Sequence, residues 1–364
     1  MHDQLKAILQ ARTRRPQAIA EAAARRHRRD SLLGADNQIF HIAADHPARG
    51  ALRAGARPMA MADRVDLLER MSLALSRPGV DGVLGTADII EDLLLLGALD
   101  DKVVIGSMNR GGLAGTAFEM DDRFTGYDAA SIARMGFDGG KMLFRIDPDD
   151  PATVVTMEAC ARAVSDLASH ALMAMVEPFI SHRVDGRVRN DLSPEAVIRS
   201  ITVAAGLGAT SAYTWLKLPV VEDMERVMAA STLPVLLLGG EVSADQDAAF
   251  ESWRKALQIP SVHGLVIGRS LLFPPDDDVS GAVDTVLSMV RGDAEIGRQA
   301  VPEAGNEHRR RLLPRGDPRT GRLDLQRPQG TDPAARRVAH LGHRTRRDPG
   351  PAAVRLGHRH LRGH

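Results

Sequence analysis

The chain of 364 residues has a single cysteine, Cys160. That excludes a disulfide framework and any cysteine-rich metal site. It also lacks a run of about 18 uninterrupted apolar residues, the length a membrane-spanning helix requires. The opening Met1-His2-Asp3-Gln4-Leu5-Lys6 lacks the charged-then-apolar pattern of a secretory leader. These absences point to a cytoplasmic protein without a membrane partner. Lysine is scarce too, with only five residues, at positions 6, 102, 141, 217 and 255. Arginine serves as the surface cation, so a lysine inside an apolar strand stands out.

Net charge is zero, but it is unevenly spread. Residues 301–364 hold 15 Arg, no Lys and 6 acidic residues, which leaves 32 basic and 41 acidic residues in the first 300. Residues 2–29 read as one helix with a basic second half (Arg25, Arg26, Arg28, Arg29). The reading favoured for it is a solvated helix capping the end of a barrel; a nucleic-acid arm is the weaker alternative.

Apolar runs then alternate with helix-period segments. The strand-like runs are 38–45, 80–85, 102–107, 141–146, 171–178, 213–219, 233–240 and 263–269. Most are continuous rather than alternating, as expected of parallel strands buried on both faces. Eight such units over about 260 residues predict a TIM (β/α)8 barrel rather than an open doubly wound sheet. The expected organisation is an N-terminal helical extension over 1–30, the barrel over 31–293 and a basic tail over 294–364. The tail has no aromatics, no lysine and no sustained apolar period. It reads as a disordered segment or as an out-of-frame translation, since shifted GC-rich coding DNA yields Arg, Pro, Gly and His.

In this fold, chemistry gathers at the C-terminal ends of the strands. The polar residues there are Asp45, Asn109, Arg110, Glu177, Lys217, the pair Gly239-Gly240, and Gly268-Arg269. Lys141 opens the fourth run, so its depth is open. Lys217 lies in the run Tyr213-Thr214-Trp215-Leu216-Lys217-Leu218-Pro219. Desolvation disfavours its charged form, and a neutral amine can form a Schiff base with a carbonyl. Strands four and six share interior layers, so Lys141 could approach Lys217 and either could be the nucleophile. Glu177 between them could pair with a lysine and move a proton. Asp45 could hold a substrate hydroxyl or orient a lysine. The glycines after strands seven and eight fit the fold's common phosphate site, with Arg269 adding a contact.

These residues resemble class I, Schiff-base aldolases of the DeoC/LacD type, which include the deoxyribose-phosphate and tagatose-bisphosphate aldolases. The resemblance spans roughly residues 36–292 and rests on Trp215-Leu216-Lys217-Leu218-Pro219, Val235–Gly240 and Gly264–Arg269. Asp45, Lys141 and Glu177 also fall at family-like positions. It implies Lys217 as the Schiff-base lysine, Glu177 as an acid/base residue, a phosphate at the last two loops, and neither cofactor nor metal. One residue separates Lys217 from Pro219, a tighter spacing than in the tagatose-type enzymes.

The loop Asn109-Arg110-Gly111-Gly112, with Asp121-Asp122-Arg123-Phe124, is similar to that of barrel proteins among the inositol-catabolism enzymes. That implies 6-phospho-5-dehydro-2-deoxygluconate as substrate, with Arg110 as partner of its carboxylate. Competing readings are a metal-dependent aldolase using His41, His46 or His263, which no His-x-His cluster gathers, and a phosphosugar-binding barrel without catalysis. The basic tail as a nucleic-acid binder is a further alternative. The expected partner is a small phosphorylated sugar, and the extension and rim leave room for a homo-oligomer.

Overall fold

The computed structural model describes residues 2–240 and 246–298. Eight parallel ladders close a barrel whose strands are β1 Ile39–Ala43, β2 Gly82–Gly85, β3 Val103–Ser107, β4 Gly139–Ile146, β5 Met173–Val184, β7 Thr214–Leu218, β8 Val235–Leu238 and β9 Val262–Ile267. The order around the ring is β4-β3-β2-β1-β9-β8-β7-β5, and β4 pairs with β5 to close it. This is the TIM barrel expected from the alternation.

One strand was not anticipated. β5 runs on past Pro178, and β6 (Arg187–Asn190) folds back on it as an antiparallel hairpin. The turn is Asp185-Gly186, both at positive φ (51° and 75°), as a two-residue hairpin turn demands. Lys217 therefore sits on the seventh strand of the chain and the sixth of the barrel. Strand four also begins earlier than expected, at Gly139. Lys141 thus lies within the ladder, opposite Ser107 on one side and Met175 on the other.

Two apolar layers hold the barrel. The interior is filled by Ile39, Ala43, Leu84, Val103, Ile105, Met173, Met175, Leu236 and Val266, closed below by Leu32, Leu33 and Trp215. A larger layer lies between strands and helices, where Phe40, Ile42, Met142, Phe144, Leu216 and Leu218 face outward. Period-2 alternation along each strand separates the layers and sends His41, Lys141 and Lys217 inward. Helix starts are set by short polar side chains. Asp63 caps Arg64–Ser76, Ser193 caps Pro194–Ala205, and Asp128 forms a capping box with Ser131.

The N-terminal extension is two helices, His2–Arg14 and Ala18–Arg25, rather than one. Pro16 separates them, since a proline in a helix interior removes a hydrogen bond and clashes with the preceding turn. The basic run that follows is engaged by the barrel's N-terminal rim. Arg26 donates to the Lys102 carbonyl (2.6 Å) and the Gly136 carbonyl (2.8 Å), and Arg29 pairs with Asp81 at 2.5 Å. Asp81 also accepts from the Phe40 N–H and from Arg291, which ties the extension, β1 and the last helix together. That helix, Val279–Arg298, runs past residue 294, where the tail was expected to begin. The remainder of the predicted tail, 299–364, lies outside the described residues. Among the described residues no helix is long and apolar enough to cross a membrane.

Candidate active site

At the C-terminal mouth of the barrel, β5 carries Glu177 between the strands of the two lysines. Lys217 on β7 donates to Glu177 Oε1 at 2.6 Å, and Lys141 on β4 is paired with Glu177 Oε2. One carboxylate thus bridges two ammonium groups. Burial alone would raise the Glu177 pKa, but Lys141 and Lys217 override it and hold the carboxyl well below the usual carboxylate range. Lys141 moves the other way. Its burial, only partly offset by Glu177 and reinforced by Lys217, Arg110 and Arg49, pushes its pKa well below the ordinary lysine value.

Lys141 Nζ is also 3.3 Å from Asp45 Oδ2. Asp45, just past the end of β1, is paired with Arg110 and accepts from Ser107 Oγ at 3.3 Å; Arg110 Nε in turn donates to Ser107 Oγ at 2.7 Å. The sequence reading thus brought together four residues that form one continuous network: Lys217, Glu177, Lys141 and Asp45. Ser107, the last residue of β3, was missed; a serine ending a strand carries little signal alone. Arg49 was missed as well, and Asp122 was read only as part of the loop that carries the subgroup resemblance. They form a buried pair behind the network, and Arg49 also donates to the carbonyls of Gly112 (2.9 Å) and Asn109 (2.8 Å), fixing the glycine-rich loop.

Two expectations change. Asn109 was expected to bind substrate, but its amide is fully buried and taken up by backbone. Its Nδ2 donates to the Leu143 carbonyl at 2.5 Å and its Oδ1 accepts from the Leu143 N–H at 2.8 Å, clamping the loop after β3 to β4. Arg110, expected to meet a substrate carboxylate, is buried with its guanidinium held by Asp45 and Ser107.

On the opposite side of the mouth, Gly239 and Gly240 follow β8, and residues 241–245 lie outside the described residues. Gly268 follows β9 and precedes the short helix Arg269–Leu272. A Cβ at Gly268 would stand 2.3 Å from the Ala43 carbonyl oxygen, so only glycine fits where this loop crosses β1. Arg269 donates to the Arg53 carbonyl at 3.3 Å, placing its guanidinium at the rim.

Between these halves stands His46, directly after Asp45. Its Nδ1 is 3.7 Å from Asp45 Oδ1, and its Cε1 lies 3.4 Å from where a Gly268 Cβ would be. Burial, and then the charges of Arg269, Lys217 and Lys141, lower its pKa well below the usual imidazole value, against the pull of Glu177. Of the other histidines considered, His41 lies deep in the barrel interior and His263 bonds the Asn37 carbonyl beyond its N-terminal end. Among the described residues no three His, Cys, Asp or Glu are grouped to hold a metal ion.

Residues 37–287 match the Cgl0159-like family. The chain belongs to that family. The crystal structure of Cgl0159 from Corynebacterium glutamicum (Brevibacterium flavum) resembles this Cgl0159-like chain with a TM-score of 0.78 at 55% identity, over 80% of this chain and 98% of that one. An archaeal fructose 1,6-bisphosphate aldolase gives a TM-score of 0.53 at 18% identity, over 75% of this chain and 99% of that one. A second archaeal structure, with the catalytic lysine covalently bound to the carbinolamine intermediate of its substrate, gives 0.51 at 18% identity with the same coverage. At these identities the likeness is one of fold: the barrel is built like those of the archaeal fructose 1,6-bisphosphate aldolases. No curated protein matches the chain.

Proposed function

We propose that this protein is a class I aldolase that cleaves a phosphorylated keto sugar or sugar acid through a Schiff base on Lys217. The observation that carries the reading is the Glu177 carboxylate bridging two buried lysines at the C-terminal mouth of the barrel. Lys217 must shed a proton before it can attack a ketone, and Glu177 Oε1 at 2.6 Å is placed to take it. The resulting iminium is an electron sink that accepts the electrons of the breaking carbon–carbon bond. Water then releases the ketone product and the free amine.

The two lysines have different surroundings. Lys141 is paired with two carboxylates, Asp45 and Glu177, and its side chain is 3% exposed. Lys217 pairs with Glu177 and stands on the strand next to β8, the strand that leads into Gly239-Gly240. That supports Lys217 as the covalent residue and Lys141 as the residue that holds Glu177 and Asp45 in place. The loops at Gly239-Gly240 and Gly268-Arg269 are assigned to the substrate phosphate, through backbone N–H groups and the Arg269 guanidinium.

The archaeal relatives by fold are named for fructose 1,6-bisphosphate; the loop 109–124 favours a sugar acid such as 6-phospho-5-dehydro-2-deoxygluconate. A substrate carboxylate at Arg110 would have to draw its guanidinium from Asp45, which would also loosen the hold on Lys141. The test is release of dihydroxyacetone phosphate, read by coupled oxidation of NADH. The panel is that acid, fructose and tagatose 1,6-bisphosphates and deoxyribose 5-phosphate, the last scored by its aldehyde products. EDTA-resistant turnover of one of them supports the reading, and no turnover of any of them counts against it.

A further inference from the structure

Retro-aldol cleavage needs a group that takes a proton from the substrate hydroxyl as the carbon–carbon bond breaks and later returns one to carbon. Glu177 is poorly suited to it. Held between two ammonium groups, it has too little affinity for a proton to keep one through the cleavage step. Asp45 has its Oδ2 taken by Lys141, Arg110 and Ser107, its Oδ1 turned to His46, and a side chain only 4% exposed.

His46 differs from both. Its side chain is 29% exposed, against 6% for Lys217 and 10% for Glu177, so it is the member of the group that faces the opening. The turn Pro47–Arg49 that follows β1 sets it over the mouth, and Gly268, which has no side chain, leaves room for the ring. Nδ1 is buried on the side of Asp45 and has no hydrogen-bond partner, so the exposed part of the ring is not Nδ1. The charged groups facing the ring are Asp45, Lys141, Lys217, Glu177 and Arg269. Burial, and then the three cations, favour the neutral imidazole against the pull of Glu177, and neutral is the form a general base must have. Once it is protonated, Asp45 Oδ1 at 3.7 Å from Nδ1 stabilises the imidazolium.

We propose that His46 is the proton-transfer residue of this site. The assignment rests on the aldolase reading above. His46 Nε2 takes the hydroxyl proton as the carbon–carbon bond breaks, the bond electrons pass into the enamine on Lys217, and the aldehyde leaves. The imidazolium then returns that proton to the enamine carbon, which regenerates the iminium, and water hydrolyses it.

Dihydroxyacetone phosphate in D2O serves as the probe, because it can form the Schiff base and exchange a proton at its hydroxymethyl carbon without an aldehyde. Proton NMR follows the exchange, and borohydride reduction with mass spectrometry reads the lysine adduct in the same samples. His46→Gln keeps the adduct within about twofold of wild type and slows exchange by about 100-fold or more. His46→Ala shows the same loss and recovers part of it with added imidazole, which a merely structural role would not give. Wild-type exchange in His46→Gln overturns the assignment, as does loss of adduct and exchange together without imidazole rescue. Absence of an adduct in the wild-type protein overturns the aldolase reading itself, and the role of His46 with it.

Discussion

Lys217 Nζ lies 2.6 Å from Glu177 Oε1, and the other oxygen of the same carboxylate is occupied by Lys141. Charge and geometry are therefore coupled, and Glu177→Gln tests the coupling. The amide keeps the shape and removes the charge that two buried ammonium groups share. Removing one partner of a buried ion pair costs about 3 kcal/mol. Loss of the carboxylate placed to take the Lys217 proton lowers turnover by about 100-fold or more. Urea denaturation and kcat of the same variant should show both losses. A variant with wild-type stability would mean that the pairing carries no net weight.

Acid sensitivity should arise below the site, at His41. Its ring is fully buried in the barrel interior with both nitrogens unpartnered, and burial lowers its pKa to about 4, against a pull from Asp81. Because the folded pKa is below the unfolded value, the unfolded chain takes the proton first as pH falls. Stability is then lost between about pH 6.5 and 4, and its share between pH 7.5 and 5 is about 2 kcal/mol. His41→Leu should remove that share, so the difference in unfolding free energy between the two pH values shrinks by the same amount. An unchanged pH dependence would contradict it.

Asn109→Ala is expected to act on stability before it acts on binding. It leaves the N–H and carbonyl of Leu143 without partners in a buried place, at a cost of about 2 kcal/mol. Thermal denaturation should show the loss. KM should rise only as far as the glycine-rich loop, which Arg49 also holds, shifts with it. A large rise in KM at wild-type stability would return Asn109 to the substrate site.

Much of this was legible in the sequence because parallel strands buried on both faces read as continuous apolar runs. A lone lysine in such a run has few places to go. Lys141, Glu177 and Lys217 were found as strand-borne exceptions to apolar patterning, and they meet around one carboxylate. The β5–β6 hairpin was missed although its signal is local: Asp185-Gly186 is flanked by a strand-like stretch. The partnership of Arg110 with Asp45, the clamp formed by Asn109 and the position of His46 are different in kind. Each depends on residues about 30 to 220 positions apart meeting at the mouth of a closed barrel. No spacing in the sequence encodes those meetings.

The central claim is that Lys217, and not Lys141, bonds to substrate. Borohydride reduction in the presence of dihydroxyacetone phosphate, followed by proteolysis and mass spectrometry, tests it most directly. The account predicts a reduced adduct on the peptide containing Lys217, absent in Lys217→Met and still detectable in Lys141→Met. An adduct on Lys141, or none on either lysine, would contradict it.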